Sequence, residues 1–192
     1  SSLETSIGYQ FGEMGNSRLD YAGGANPSPA YYQDLPSYFL ADTDGPDYEG
    51  AYIAQENFIN NGQINWNRIY DANLTNNQAN LNAAYVLYED RVDDTQLTFN
   101  SAYNREINEN IKVTASANYR NLVSDNFAEI SDMLGGYSYS NIDSFDYLDY
   151  NLLSPNSIVS EGDKFKYHYK MNAEEMSFCL LYTSPSPRDS IA

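Results

Sequence analysis

The sequence predicts an all-β fold in which antiparallel strands form part of a transmembrane β-barrel with long extracellular loops. Three observations carry that expectation. Four segments alternate polar and apolar side chains with a period of two. Each main segment is about 9–11 residues long, the length a tilted strand needs to cross a bilayer. The connections are lopsided, with short turns on one side and long loops on the other, as in outer-membrane barrels.

In the first segment Leu3, Ile7, Tyr9 and Phe11 alternate with Glu4, Ser6, Gly8 and Gln10. In the second, Leu97, Phe99 and Tyr103 alternate with Gln96, Thr98, Asn100 and Asn104. In the third, Val113, Ala115, Ala117 and Tyr119 follow Ile111 and alternate with Lys112, Thr114, Ser116, Asn118 and Arg120. The fourth begins at KFKYHYKM (164–171) and runs to Ala173. It sets Lys164, Lys166, His168 and Lys170 against Phe165, Tyr167, Tyr169 and Met171. A shorter run, Ala84 to Glu89, is expected to make a hairpin with the second segment through a turn at Asp90–Asp94.

Glu106–Asn110 joins the second and third segments, whereas about Gly12–Asn82 and Leu122–Gly162 form the long connections. Within them, GGANPSPAYYQDLPSYF (23–39) is expected to be extended or turned. INWNRIYDANL (64–74) spaces Ile64, Ile69 and Leu74 in a way that suits a short helix. Nine acidic residues fall from Glu13 to Asp71 and eight from Asp125 to Asp163, so the loops hold most of the negative charge.

In hydrocarbon every backbone donor and acceptor needs a partner inside the protein, so a spanning sheet must close on itself. Its outer face then meets acyl chains and its inner face meets water. The expected lipid-facing residues are Ile7, Tyr9, Phe11, Leu97, Phe99, Tyr103, Val113, Ala115, Ala117, Tyr119, Phe165, Tyr167 and Tyr169. A slip of one residue in the last strand would turn its lysines to lipid, at ~2–4 kcal/mol each near mid-membrane. The rival expectation is a soluble, secreted β-rich binding module or adhesin recognising carbohydrate or calcium, since any half-buried antiparallel sheet alternates.

Composition narrows the classes further. The 192 residues carry a net charge of −17, which argues against a nucleic-acid partner, whose phosphates demand basic patches. The 19 Tyr and 8 Phe suit boundaries between apolar and wet surroundings better than deep cores. One Cys gives neither a disulfide framework nor a thiolate metal cluster. No apolar run of about 18 residues or more marks a spanning helix. The chain opens directly in a strand-like alternation, without initiator Met or signal-peptide pattern, and is read as the middle of a longer protein.

Candidate chemical sites are few, and no enzyme activity, cofactor or metal is expected. His168, the only histidine, lies mid-strand among lysines and is read as a lumen-facing side chain, not as part of a Ser/His/Asp triad. Asp42, Asp44, Asp47 and Glu49 could approach a calcium ion, but their spacing departs from the twelve-residue calcium loop, and a solvated acidic loop is the expectation. Trp66, Tyr31, Tyr32, Tyr38 and Tyr70 offer stacking surfaces for a sugar or peptide, or pack the loops together. NLT at 73–75 matches a glycosylation sequon.

Several stretches resemble the barrel region of TonB-dependent outer-membrane receptors, of the type bearing a carboxypeptidase-like regulatory domain. They are NPSPAYYQDLPSYF (26–39), INWNRIYDANL (64–74), AAYVLYEDRVDDTQLTFNSAYN (83–104), INENIKVTASANYRNLVSDNFAEISDMLGG (107–136) and VSEGDKFKYHYKMNA (159–173). The resemblance implies a barrel of about 22 strands with a plugged lumen. It also implies outer-membrane lipid as surroundings, a nutrient ligand caught at the cell surface, and coupling to the TonB energy-transducing complex through a plug domain not contained in residues 1–178. A surface lipoprotein lid is a further partner that it leaves open. Substrate-binding residues are not assigned by it. Too few strands are present to close, so an open antiparallel sheet is expected.

CLLYTSPSPRD (179–189) resembles a translated sequencing adapter, and residues 179–192 are expected to be a non-native tail, with residues 1–178 a piece of one barrel domain.

Overall fold

The computed structural model describes residues 1–41, 43, 45–143, 148 and 157–183. Four long strands make one sheet in the order β1 (Ser2–Tyr21), β2 (Tyr85–Asn108), β3 (Ile111–Asp132) and β6 (Lys164–Thr183). The sheet is open and mostly antiparallel. A small pair, β4 (Tyr139–Ser140) with β5 (Ile158–Val159), lies in the second long connection. No helix among the described residues is long and apolar enough to cross a membrane.

The strands run well past the expected segments. β2 passes straight through Asp90–Asp94, so the hairpin turn expected there does not exist. Two of its acidic residues are engaged from the sides: Arg91 bonds Asp93 at 3.1 Å, and also Glu13 of β1 at 3.0 Å, and the Tyr167 hydroxyl donates to Asp90 at 2.8 Å, whereas Asp94 keeps one buried carboxylate oxygen without a partner among the described residues. β6 likewise continues beyond Ala173 to Thr183, taking in Cys179–Thr183, while the remainder of the adapter-like stretch lies outside the described residues.

The first long connection is helical. The helix expected within 64–74 is α3 (Trp66–Gln78), opened by Asn65, whose side chain accepts from the Arg68 backbone N–H at 3.0 Å. α2 (Tyr48–Asn61) begins in the same way, with Asp47 accepting from Gly50 N–H at 2.9 Å. Sequence reasoning missed α2. The stretch expected to be extended or turned holds a 3₁₀ turn at Tyr32–Asp34 and the short α1 (Pro36–Leu40), with Pro36 at its first turn.

The chain divides into two compact units. One comprises Ser1–Asn16, Asp90–Phe127 and Tyr167–Ala192, and the other comprises Ser17–Glu89 and Ala128–Lys166. The second has a proper core, in which Val86, Tyr88, Ala128, Ile130, Tyr139 and Phe165 are packed together. A second cluster seats Ile69 of α3 against Ala84, Tyr85 and Leu134. Asn73 binds these pieces. Its amide nitrogen donates to the carbonyls of Tyr85 (2.8 Å), Met133 and Leu134 (both 3.1 Å), and its oxygen accepts from the N–H groups of Ala84 (2.9 Å) and Tyr85 (3.1 Å). The sequon asparagine is therefore fully buried and engaged, not a surface attachment point.

Candidate functional site: a two-faced sheet

Side-chain pairs fix which residues share a face of the first unit. Between β1 and β2, Thr5 meets Ser101 at 3.0 Å and Ser6 meets Asn100 at 3.5 Å. Between β2 and β3, Asn104 meets Thr114 at 2.7 Å and Glu106 meets Lys112 at 2.6 Å. Odd residues of these three strands therefore lie together, as do even ones.

Between β3 and β6, Asn118 meets Ser177 at 3.1 Å, Arg120 meets Glu175 at 3.4 Å, and Asn121 meets Glu174 at 2.9 Å. Here odd residues of β3 share a face with even residues of β6. The register sets Ala117 across from Phe178 and Tyr119 across from Met176.

One face is accordingly an apolar band. It gathers Ile7, Tyr9 and Phe11 with Leu97, Phe99 and Tyr103, and with Val113, Ala115, Ala117 and Tyr119. Ten of the thirteen residues expected to share a face do so. Met176, Phe178, Leu180 and Tyr182 extend the band onto β6. The sequence reading missed them because it ended that strand at Ala173. The side chains are bare: Phe11 is 76% and Phe178 75% exposed. From Leu3 to Phe11 the band spans about 26 Å along the strand at ~3.3 Å per residue. Thr5 and Ser101, hydroxyls within it, satisfy each other.

The other face is polar. Glu4, Ser6, Thr98, Asn100, Thr114, Ser116 and Asn118 lie on it, interrupted by Met14, Val92 and Leu122 and, on β6, by Met171 and Leu181. Ion pairs stand at its two ends, Lys112–Glu106 and Arg120–Glu175.

Three expected lipid-facing residues do not belong to the apolar band. Phe165 is 3% exposed, within the core of the second unit, edge-on to Tyr88 at 5.3 Å. Tyr167 and Tyr169 lie on the polar face, 6.0 Å apart, with Tyr167 bonded to Asp90. The cause is twofold. The β3–β6 register sets the even residues of β6, not the odd ones, beside the apolar residues of β3. Lys166 also takes a left-handed backbone, φ 59°, an uncommon conformation for a side-chain-bearing residue and one that breaks plain alternation.

Lys166 consequently points where Phe165 points. Its ammonium sits 4.4 Å over the Tyr88 ring and 2.9 Å from Asp20, which also accepts from the Tyr139 hydroxyl at 3.0 Å. It is a mostly buried, paired cation, not a lumenal lysine. His168 and Lys170 share the face of the apolar band, beyond its edge. Asp125 holds both, at 2.8 Å and 3.6 Å. Arg91, 5.4 Å over Phe127, continues this charged border with Glu13 and Asp93.

The expected loop sites fare differently. Asp42 and Asp44 lie outside the described residues, and Asp47 is occupied as a helix cap. Tyr31, Tyr32, Tyr38 and Phe39 form a chain of edge-on contacts at 4.9, 5.9 and 5.6 Å, so these rings pack the loop against itself. Desolvation, then the neighbouring Tyr32, Tyr21 and Asp34, holds the Tyr31 phenol above its ordinary value. Trp66 and Tyr70 keep exposed surfaces.

Comparison of the chain with protein-family models, with curated proteins and with solved structures gives no match.

Proposed function

We propose that this chain is part of the barrel of a TonB-dependent outer-membrane receptor, which binds a nutrient at the cell surface and passes it to the periplasm. The observation that carries the reading is the division of the sheet into an uncovered apolar face and a polar one. Hydrocarbon stabilises the first, because exposed Phe, Leu, Ile and Tyr lose their contact with water there. A hydrated lumen suits the second. On strands tilted by about 35–45° the band would stand about 20 Å tall, near but short of the ~25 Å apolar belt of such barrels. Tyr9 and Phe11 stand toward the end of the band where an aromatic girdle belongs, and the charged border of Arg91, His168, Lys170 and their carboxylates follows at the level of headgroups.

On this reading the helical second unit faces the medium and belongs to substrate capture, not catalysis. The TonB complex would act through a plug domain elsewhere in the parent protein.

The test is flotation with phospholipid vesicles, followed by quenching of the band's tyrosines with brominated acyl chains. The chain should float with lipid, and Phe99→Arg should weaken that association. A chain that stays in solution as a compact monomer without detergent would overturn the reading, in favour of a soluble binding module.

A further inference from the structure

The second unit contains a cavity of about 500 Å³, within the range of small-ligand sites. It opens among α2, α3 and the segment before α1. Phe39, Ile53, Phe58 and Tyr85 give it apolar walls. Asn57, Asn61 and Gln63 add three amides, and Asp34 and Arg68 add one charge of each sign.

These polar groups are exposed and not engaged by the protein, so they are open to a ligand. Among the described residues, the side chains of Asn57, Asn61, Gln63, Asp34 and Arg68 make no hydrogen bond or ion pair with the protein. The neighbouring Asn26 and Asn65, by contrast, spend their oxygens on local backbone N–H groups. Asp34 and Arg68 line one cavity without pairing, even though carboxylates outnumber basic groups 27 to 10 in this chain.

We propose that the cavity binds a short peptide with free termini. Arg68 takes the α-carboxylate through its planar fork of donors, and Asp34 takes the α-ammonium. Each carboxamide both donates and accepts, which matches the alternating N–H and C=O of a peptide backbone. The walls of Phe39, Ile53 and Phe58 hold an apolar side chain. A neutral glycan would meet Asp34 and Arg68 only through its hydroxyls, whereas a peptide with free termini neutralises both charges, and Phe39 is engaged edge-on by Tyr38 at 5.6 Å. The inference rests on the capture role proposed above for this unit.

Trp66, the only tryptophan, lies two residues from Arg68 and is 44% exposed, which makes it a native reporter. The experiment titrates the full chain with alanyl-leucyl-phenylalanine, its N-acetyl form, its C-terminal amide, and maltotriose. Emission is followed alongside calorimetry. The free peptide should bind saturably, and either blocked form should bind about tenfold or more weakly, since each lost charge-assisted contact is worth about one decade. In Arg68→Gln the free and amidated peptides should bind alike, and in Asp34→Asn the free and acetylated ones. Equal affinity of all three peptides, maltotriose binding in place of peptide, or no calorimetric signal would each overturn the proposal. Flotation with vesicles is scored separately. A chain that floats but ignores peptide loses only this inference, and one that binds peptide but never floats loses the receptor reading.

Discussion

Residues 17–89 and 128–166 hold their shape by burying side chains, whereas residues 1–16, 90–127 and 167–183 hold theirs mainly by pairing backbones. Val86, Ala128 and Tyr139 are fully enclosed in the first group, while no residue of Ser2–Asn16 is buried. Both groups draw on the same four strands, so strand-forming tendency does not separate them. The difference lies in what the apolar side chains meet. In one they meet α3 and the small β4–β5 pair. In the other, Ile7, Phe11 and Phe178 stay exposed, with no covering layer among the described residues.

That contrast orders the experiments. The largest effect should come from Phe165→Ala, which empties a core site and should cost ~3–5 kcal/mol. Urea unfolding followed by Trp66 emission reads it, and the loss should be the same with or without lipid. Next is Phe99→Arg, at ~2–4 kcal/mol when vesicles are present and little in their absence. Asn100→Arg, one residue along on the polar face, should stay within ~0.5 kcal/mol in both conditions. Equal penalties at residues 99 and 100 in lipid would erase the distinction between the faces. Removing the α2 cap with Asp47→Ala should cost ~1 kcal/mol, visible as lost helical circular dichroism in the first group alone. Smallest of all, Glu106→Gln should leave the unfolding midpoint unchanged, because its lysine partner is fully exposed beside the Ile111 end of β3.

Alternation made the sheet legible where it was strict, in Leu3–Phe11, Gln96–Asn104 and Ile111–Arg120. It failed where charge masked it. Glu89–Asp94 carries four carboxylates and one arginine, a composition that suggests a turn, yet each strand there finds its partners across the sheet. α2 was hidden because its buried positions are Ala51 and Ala54, while Tyr48, Tyr52 and Ile59 point outward. Its only local sign was the Asp47 cap, submerged in a run of acids. The face of β6 was illegible for a geometric reason: period-two patterning says which residues share a side of one strand, but only cross-strand register says which side that is. The cavity gave no sequence signal, since its polar groups come from separate segments in ordinary helix and loop composition.

Lys166 carries one last consequence. A strand with smooth alternation and polar neighbours can slide along its partner by two residues at little expense. β6 has a residue out of plain alternation whose ammonium is seated between an aromatic ring and Asp20. The lysine therefore works as a locating pin. It ties the Lys164 end of the strand to Asp20, near the end of β1, through one ion pair.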